Sequence, residues 1–150
     1  MVRLWLFLHL LGFTMWLGGG IGAMFAGIAA KNETRQALAG VVRSQAAVQR
    51  LIIGPGALIT VLSGLMLTLN VSSRFGETEG VGPWLLVMQL AGLTAGLLTL
   101  FVTLPTSTRL ARLDAETHAA AFDQLRKRVR LVGGISGSLG LLALLAGALL

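Results

Sequence analysis

The sequence lacks cysteine altogether, and only 12% of its 150 residues are charged. The absence of cysteine excludes disulfide bonds, thiolate metal sites and cysteine nucleophiles. Soluble domains carry about 25% charged residues, whereas 55% of this chain is hydrophobic and its mean hydropathy is +0.81. A core of this size cannot hide so much apolar surface from water, so the composition predicts that lipid surrounds most of the chain.

Acidic and basic residues are also missing from four long apolar runs, at about 4–30, 51–71, 83–104 and 132–150. Each run has close to the 20 or so residues with which a helix crosses about 30 Å of hydrocarbon. Since backbone groups in lipid must be satisfied within their own segment, the runs are predicted to be helices. The first run is too long for the core of a signal peptide. The predicted fold is all-α, an integral membrane four-helix bundle in which residues 1–150 form one transmembrane domain.

The basic residues are distributed unevenly between the two ends of this bundle. The connections 31–50 and 105–131 together carry ten Lys and Arg residues, and the other end carries two. The positive-inside rule then predicts a multi-pass protein of the inner (cytoplasmic) membrane with both termini outside. The net charge of +6 is therefore attributed to membrane topology and not to binding of nucleic acid. A basic group in the second connection is predicted to lie at the anionic inner leaflet: Arg126, Lys127, Arg128 and Arg130.

Both cytoplasmic connections are predicted to be amphipathic helices. In the first, the arginines at 35, 43 and 50 fall on one helical face. The second is expected to begin at Thr106 or Ser107 as its N-cap, after Pro105 has ended the third span. Its basic surface either faces the inner leaflet or docks an acidic partner. Pro55, near the start of the second span, predicts a kink.

Small residues recur at four-residue spacing along the predicted spans. Because lipid removes the hydrophobic drive between helices, such residues let helix backbones pack closely. Either they pack the four helices of this chain together, or one ridge docks a helix of another membrane protein. The fourth span is the predicted docking helix, because residues 139–150 form a belt of Leu and Ala. The helix-packing positions are Gly18, Gly22, Gly92, Gly96, Gly133 and Gly137.

His9 is the only ionisable residue within the four runs. At 1.5 Å per residue it lies about 7–8 Å below the outer end of the first span. Gln89, Met88 and Met66 fall at similar depth on the second and third spans, and the four residues form a predicted layer. Polar groups at membrane depth are costly and point to a function. Either His9 is neutral and hydrogen-bonded to Gln89 or a backbone carbonyl, or it ligates haem b, or it binds copper with the methionines.

The segment 8–19 carries the pattern His–x–x–Gly–(x)3–Trp–x–Gly–Gly, beginning at His9. This pattern resembles the first helix of small bacterial membrane proteins of the HemJ-like and CopD-like type. The stretch from Arg50 to Gly64, with an early proline and a later Ser-Gly, is also similar to those families. The resemblance covers about the first 70 residues and implies a four-helix core that handles haem or copper, with His9 as the ligand. The sequence departs from those families in one respect, since its later spans contain no lysine and no second histidine.

Two functions from different classes follow from these observations. Catalysis needs acids, bases or a nucleophile in defined geometry, and ion-coupled transport normally needs carboxylates within the membrane. The four runs contain no carboxylate. The first hypothesis is a non-catalytic accessory or structural subunit that packs against other subunits of a larger membrane complex. The second is a membrane protein that binds haem b or copper through His9.

Overall fold

The computed structural model describes residues 2–72 and 82–149, and the chain is helical over nearly all of them. Four continuous helices are long and apolar enough to cross a membrane. The prediction of an all-α bundle of four spans is therefore confirmed. The segment 72–82, rich in Ser, Gly and Glu, is predicted from its composition to be a solvated turn, and its residues 73–81 lie outside the described part of the chain. The helices are α1 Val2–Ala29, α2 Arg35–Val48, α3 Gly54–Ser72, α4 Pro83–Leu98, α5 Leu104–Arg112 and α6 Ala119–Ala148.

Two π-helical turns join these helices in pairs. The turn Gln49–Ile53 makes α2 and α3 one helix, and the turn Thr99–Thr103 does the same for α4 and α5. In each turn a backbone N–H donates to the carbonyl oxygen five residues earlier. Gly54 donates to Gln49 in the first turn, and Leu104 donates to Thr99 in the second. A proline lies two residues after the end of each turn, at Pro55 and Pro105. The prediction that Pro105 ends the third helix was wrong, because the helix continues to Arg112. The π turn before the proline accommodates the hydrogen bond that a proline cannot make in a regular helix.

The connections are helical as predicted, but they extend the spans and are not separate helices. Thr106 and Ser107 do not cap a second connecting helix, because they lie inside α5 and their hydroxyls donate to the carbonyls of Val102 and Leu104. The chain breaks instead at residues 113–118. There the carboxylate of Asp114 accepts the N–H groups of residues 116 and 117 at 2.8 and 3.0 Å. A polar side chain that satisfies its own backbone competes with the helix and ends it.

The bundle is built from two helix pairs, with α1 against α3 and α4 against α6. The first pair is the closer one. A Cβ atom on Gly12 would lie 2.8 Å from the carbonyl oxygen of Gly56, and one on Gly56 would lie 2.8 Å from the backbone nitrogen of Trp16. Only glycine at both positions allows this approach, which brings the two backbones into direct contact.

The helices extend past the membrane-spanning bundle at the end that holds the connections 31–50 and 105–131, here called the basic end. There α2, α5 and the start of α6 enclose an apolar core. An ion pair between Arg35 and Asp123 at 3.2 Å joins α2 to α6 above it. The four helices are 30 to 36 residues long, whereas about 20 residues are enough to span the hydrocarbon. The additional residues of these helices form this core. It consists of Ala30, Leu38, Val42, Leu110, Ala115 and Phe122.

Candidate functional site

His9 lies on α1 and is held by α3. Its Nδ1 is 2.9 Å from the carbonyl oxygen of Thr60 and 3.3 Å from the hydroxyl of Ser63. A Cβ atom on Gly64 would lie 3.0 Å from Cε1 of the imidazole, so the ring occupies the space that this glycine leaves. Of the two hydrogen-bonding options predicted for His9, the structure has the backbone carbonyl and not Gln89.

The partners of His9 determine its tautomer. A carbonyl oxygen can only accept, and the Ser63 hydroxyl already lies within donating distance of the carbonyls of Ile59 and Thr60. Nδ1 therefore carries a proton and donates a hydrogen bond to the carbonyl oxygen of Thr60, and in the neutral imidazole this leaves a lone pair on Nε2. Among the described residues, none of the hydrogen bonds uses Nε2.

The predicted layer around His9 is divided between different helix contacts. Gln89 on α4 donates from Nε2 to the hydroxyl of Thr68 at 3.0 Å, and so joins α4 to α3. Met88 lies against α6, where a Cβ atom on Gly147 would be 3.2 Å from its sulfur. Met66 lies two residues after Gly64, which at 100° per residue places it on another face of α3 than the one holding His9. Within residues 2–72 and 82–149, no group of three His, Cys, Asp or Glu could hold a metal ion.

A second polar cluster joins three helices at the centre of the bundle. Trp16 of α1 donates from Nε1 to the hydroxyl of Thr99 at 3.1 Å. Thr99 and Ser136 of α6 exchange a hydrogen bond of 2.7 Å, and both lie within bonding distance of the carbonyl oxygen of Ala95. This cluster was not predicted from the sequence. The sequence feature that could have indicated the cluster is Trp16. It lies in the middle of the first apolar run, whereas tryptophan is usually enriched at the membrane interfaces.

Gln49 is the first residue of the π turn between α2 and α3, and it is 9% exposed. Its Oε1 has no hydrogen-bond partner among the described residues. The other proline-containing helix differs in this respect, because its buried hydroxyl groups donate to carbonyls of the same helix. These are the hydroxyls of Thr103, Thr106 and Ser107. A buried amide oxygen without a donor is rare and is commonly satisfied by an ordered water molecule.

The six predicted packing glycines fall into two groups. Gly96 is in tight contact with α3, since a Cβ atom there would lie 2.5 Å from Cγ2 of Val61, and Gly92 is in ordinary contact with Ala143. The other four face open space, with no atom within 4 Å of a Cβ position. Packing within the chain thus involves two of the six, and the docking of another helix on the fourth span stays a prediction, for which Gly133 and Gly137 are available. The open positions are Gly18, Gly22, Gly133 and Gly137.

The basic group of the second connection lies on the first half of α6. Lys127, Arg128 and Arg130 are exposed, and Arg126 is half-buried. They share the basic end of the bundle with Arg35 and the rest of α2.

Comparison with known proteins gives one match that covers nearly the whole chain. Residues 3–150 match the model of a family described as predicted integral membrane protein (DUF2269). No curated protein and no solved structure matches the chain. The match supports the prediction of a membrane protein. It does not support the predicted HemJ-like or CopD-like type.

Proposed function

Since the chain belongs to the DUF2269 family of predicted integral membrane proteins, we propose that it is a non-catalytic accessory or structural subunit of a larger membrane complex. In this proposal the bundle acts by packing against the helices of other subunits. The basic end faces the cytoplasm and both termini lie outside, as the distribution of Lys and Arg favours.

The observation that carries this proposal is an open small-residue face on α6. Gly133, Gly134 and Gly137 have no atom within 4 Å of a Cβ position. The internal contacts of α6 are made elsewhere, through Ser136 and Gly140 among others. In lipid, close approach of two helices depends on such faces. These positions therefore leave space at the α6 backbone into which a helix of another subunit can pack.

Affinity purification in mild detergent tests the proposal. The wild-type chain is expected to bring down a stoichiometric membrane partner, and Gly137→Leu is expected to lose it because the added side chain separates the helices. Gly18→Leu is the matched control, since that glycine is equally open but lies on α1. Purification of the wild-type chain without a stoichiometric partner, or equal retention by both variants, would contradict the proposal.

A second function, binding of haem b through His9, is favoured by the tautomer of the ring. A histidine that ligates a metal typically donates its other N–H to a carbonyl or carboxylate, which fixes the ring and directs the free lone pair to the metal. His9 makes this arrangement with Thr60. It fits a haem with a single protein ligand. The copper alternative fits less well, because Met66 and Met88 are held away from the imidazole by their helix faces.

Absorbance spectroscopy tests this second function. A purified haem protein shows a Soret band, which His9→Ala should abolish and His118→Ala should leave unchanged. His118 is a suitable control because it lies exposed outside the spans, with its Nδ1 3.0 Å from the hydroxyl of Thr117. A wild-type protein without a Soret band after expression with added haem precursor would rule haem binding out.

A further inference from the structure

Each of the four long helices carries an irregular or glycine-rich segment. In α1 it is the run of three glycines at 18–20, and in α6 it is the pair Gly133 and Gly134. The other two segments are the π turns, each with a proline close behind it. Glycine pairs, prolines and π turns are the features at which helices bend.

Contacts between the helices place three of these segments at one level of the bundle. A Cβ atom on Gly19 would lie 2.8 Å from Cγ1 of Ile53, the last residue of the first π turn. A Cβ atom on Gly54, directly after that turn, would lie 3.3 Å from Cδ2 of Leu104, directly after the second turn. The glycine run of α1 and the two π turns are therefore neighbours.

The α6 glycines lie at this level as well. Thr99, the first residue of the second π turn, exchanges a hydrogen bond of 2.7 Å with Ser136 of α6. Gly133 and Gly134 lie within one helical turn of Ser136, on the side of the basic end toward which the π turn also runs. The segments 18–20, 49–53, 99–103 and 133–134 are here called the irregular layer.

Four of the five glycines in the irregular layer are not required by contacts within the chain. A Cβ atom at any of them would have no atom within 4 Å. Glycine is nevertheless the poorest helix former after proline, because it leaves the backbone the most freedom. On α6 these glycines also belong to the face proposed for another subunit, but on α1 they do not. The four open positions are Gly18, Gly20, Gly133 and Gly134.

The irregular layer lies where one apolar core ends and the other has not begun. The core at the basic end is built around Phe122 and is tied by the ion pair of Arg35 with Asp123. Among the described residues, it shares no member with the core of the spans. Each core can therefore keep its own packing while the helices bend between them. The core of the spans consists of Trp16, Ile53, Ala57 and Ala95.

The buried side chains between the two cores include polar ones with an unmade hydrogen bond. Gln49 lies seven residues after Val42 of the basic core, close to two full turns, and so on the same helix face. Its Oε1 is buried and has no donor among the described residues. The α5 helix, which contacts this π turn, has buried hydroxyls that donate to its own carbonyls. A buried amide oxygen without a donor is costly, and hydroxyl groups can rotate to a new acceptor.

We propose that the basic end tilts as one body about the irregular layer, between this conformation and a second one in which a hydroxyl of α5 donates to Gln49. The tilt changes the direction in which the basic side chains of α6 point relative to the spans. π turns inside α-helices are frequent at functional sites. The inference goes beyond the proposed function, because the motion needs neither a partner subunit nor haem.

Spin-label distances in the purified chain, reconstituted in lipid nanodiscs, test the proposal. The chain has no cysteine, so pairs of cysteines can be introduced for labelling without removing native ones. The exposed residues Leu4 and Lys127 form a pair that crosses the irregular layer, and Gln36 and Lys127 form a pair within the basic end. Double electron–electron resonance is expected to give two distances for the first pair and one for the second.

Two variants should reduce the population with the second distance. Gly18→Ala combined with Gly20→Ala favours a regular α1 helix and should reduce it about fivefold, which corresponds to about 1 kcal/mol of helix preference. Gln49→Leu should also reduce it, because it removes the oxygen that only the second conformation satisfies. Gly40→Ala is the matched control within the basic end, where the nearest atom is 4.0 Å from the Cβ position. This control should leave the population unchanged.

Several outcomes overturn the proposal. A single distance for the first pair in the wild type would show that the basic end does not tilt. An equal spread of distances in both pairs would show that it does not move as one body. An unchanged second distance in the double alanine variant or in Gln49→Leu, or an equal reduction in Gly40→Ala, would separate the motion from the irregular layer. None of these outcomes affects the partner subunit, which affinity purification tests separately.

Discussion

Trp16 is a single side chain that helps to join three helices. Lipid supplies no hydrophobic drive for their association, so specific contacts must hold them together. The indole N–H of Trp16 bonds the hydroxyl of Thr99, and Thr99 bonds Ser136, so one chain of hydrogen bonds crosses three helices. Membrane-buried polar groups must find partners within the protein. The cluster therefore fixes the rotation of α1 relative to α4 and α6, which share few other contacts with it.

Replacement of Trp16 by Phe is expected to lower the free energy of unfolding in detergent by about 0.6 kcal/mol, the average of a hydrogen bond between membrane helices. Loss of indole packing adds to this, because Trp16 is 7% exposed. An SDS titration followed by circular dichroism measures it. Trp84→Phe serves as control, since Trp84 is 45% exposed, and an equal loss in both variants would contradict the assignment.

Asp114 controls the turn between α5 and α6, outside the membrane. Its carboxylate accepts the N–H groups of Thr117 and Glu116, and these hydrogen bonds hold the pKa of Asp114 below its usual value. Since the folded pKa is depressed, the contribution to stability is present above the unfolded pKa and is lost as the pH falls through the folded pKa. Asp114→Ala should speed amide exchange at residues 116 and 117 at neutral pH, whereas Glu116→Gln should not. Unchanged exchange in Asp114→Ala would refute this role.

At the scale of the elements, the two π turns explain how prolines are accommodated inside long helices. Each turn bonds five residues back and so holds one residue more than an α-helical turn. The extra residue lets the chain pass a proline without ending the helix. The turns also lie where the spans pass into the helices of the basic end, so they set the direction in which α2 and α5 leave the bundle.

Deletion of Leu51, which is 64% exposed, tests the extra residue. In a Pro55→Ala background the deletion should convert the π turn to a regular helix and keep the packed faces of α2 and α3 in register. The unfolding temperature in detergent should then stay close to that of Pro55→Ala alone.

Deletion of Leu62, which is 50% exposed, provides the matched control. Leu62 lies in the regular part of α3, so its loss rotates Gly64 by about 100° away from His9. This variant should fail to fold in the same background. If the two deletions behave alike, the π turn holds no surplus residue.

At the scale of the whole molecule, two close helix pairs are joined by fewer contacts between the pairs. The α1–α3 pair depends on backbone contact at Gly12 and Gly56, and the α4–α6 pair on Gly92, Ala143 and the Ser136 hydrogen bonds. Beyond them, the core at the basic end connects α2, α5 and α6. The bundle is thus tied at its centre by polar groups and at one end by a small apolar core.

Gly12→Ala should destabilise the whole bundle, because its Cβ would lie 2.8 Å from Gly56 O and 2.9 Å from the backbone nitrogen of Thr60. Overpacking of this kind costs about 1–3 kcal/mol. Gly20→Ala should have little effect or be mildly stabilising, since nothing lies within 4 Å of that position and alanine is the better helix former. Unfolding in SDS distinguishes the two, and equal stability would show that α1 and α3 are not in backbone contact.

The candidate site could be predicted only in part. His9 was recognisable because an ionisable residue in an apolar run is rare. Its partners Thr60 and Ser63 were not, because a backbone carbonyl and a common hydroxyl carry no signal in the sequence. Depth along a helix placed Gln89 and Met88 near His9, but depth does not specify which neighbour a helix face meets.

The four spans follow from composition alone, because the absence of charged residues from the four apolar runs does not depend on how the helices pack. The concentration of basic residues at one end of the bundle and the helical nature of the connections follow from the sequence as well. Which glycines are in contact, where the chain breaks, and which carbonyl accepts the His9 hydrogen bond depend instead on the packed structure. Those outcomes depend on the rotation of each helix about its axis. In lipid that rotation is set by the mutual fit of small residues and hydrogen bonds, and not by a hydrophobic face readable from one helix.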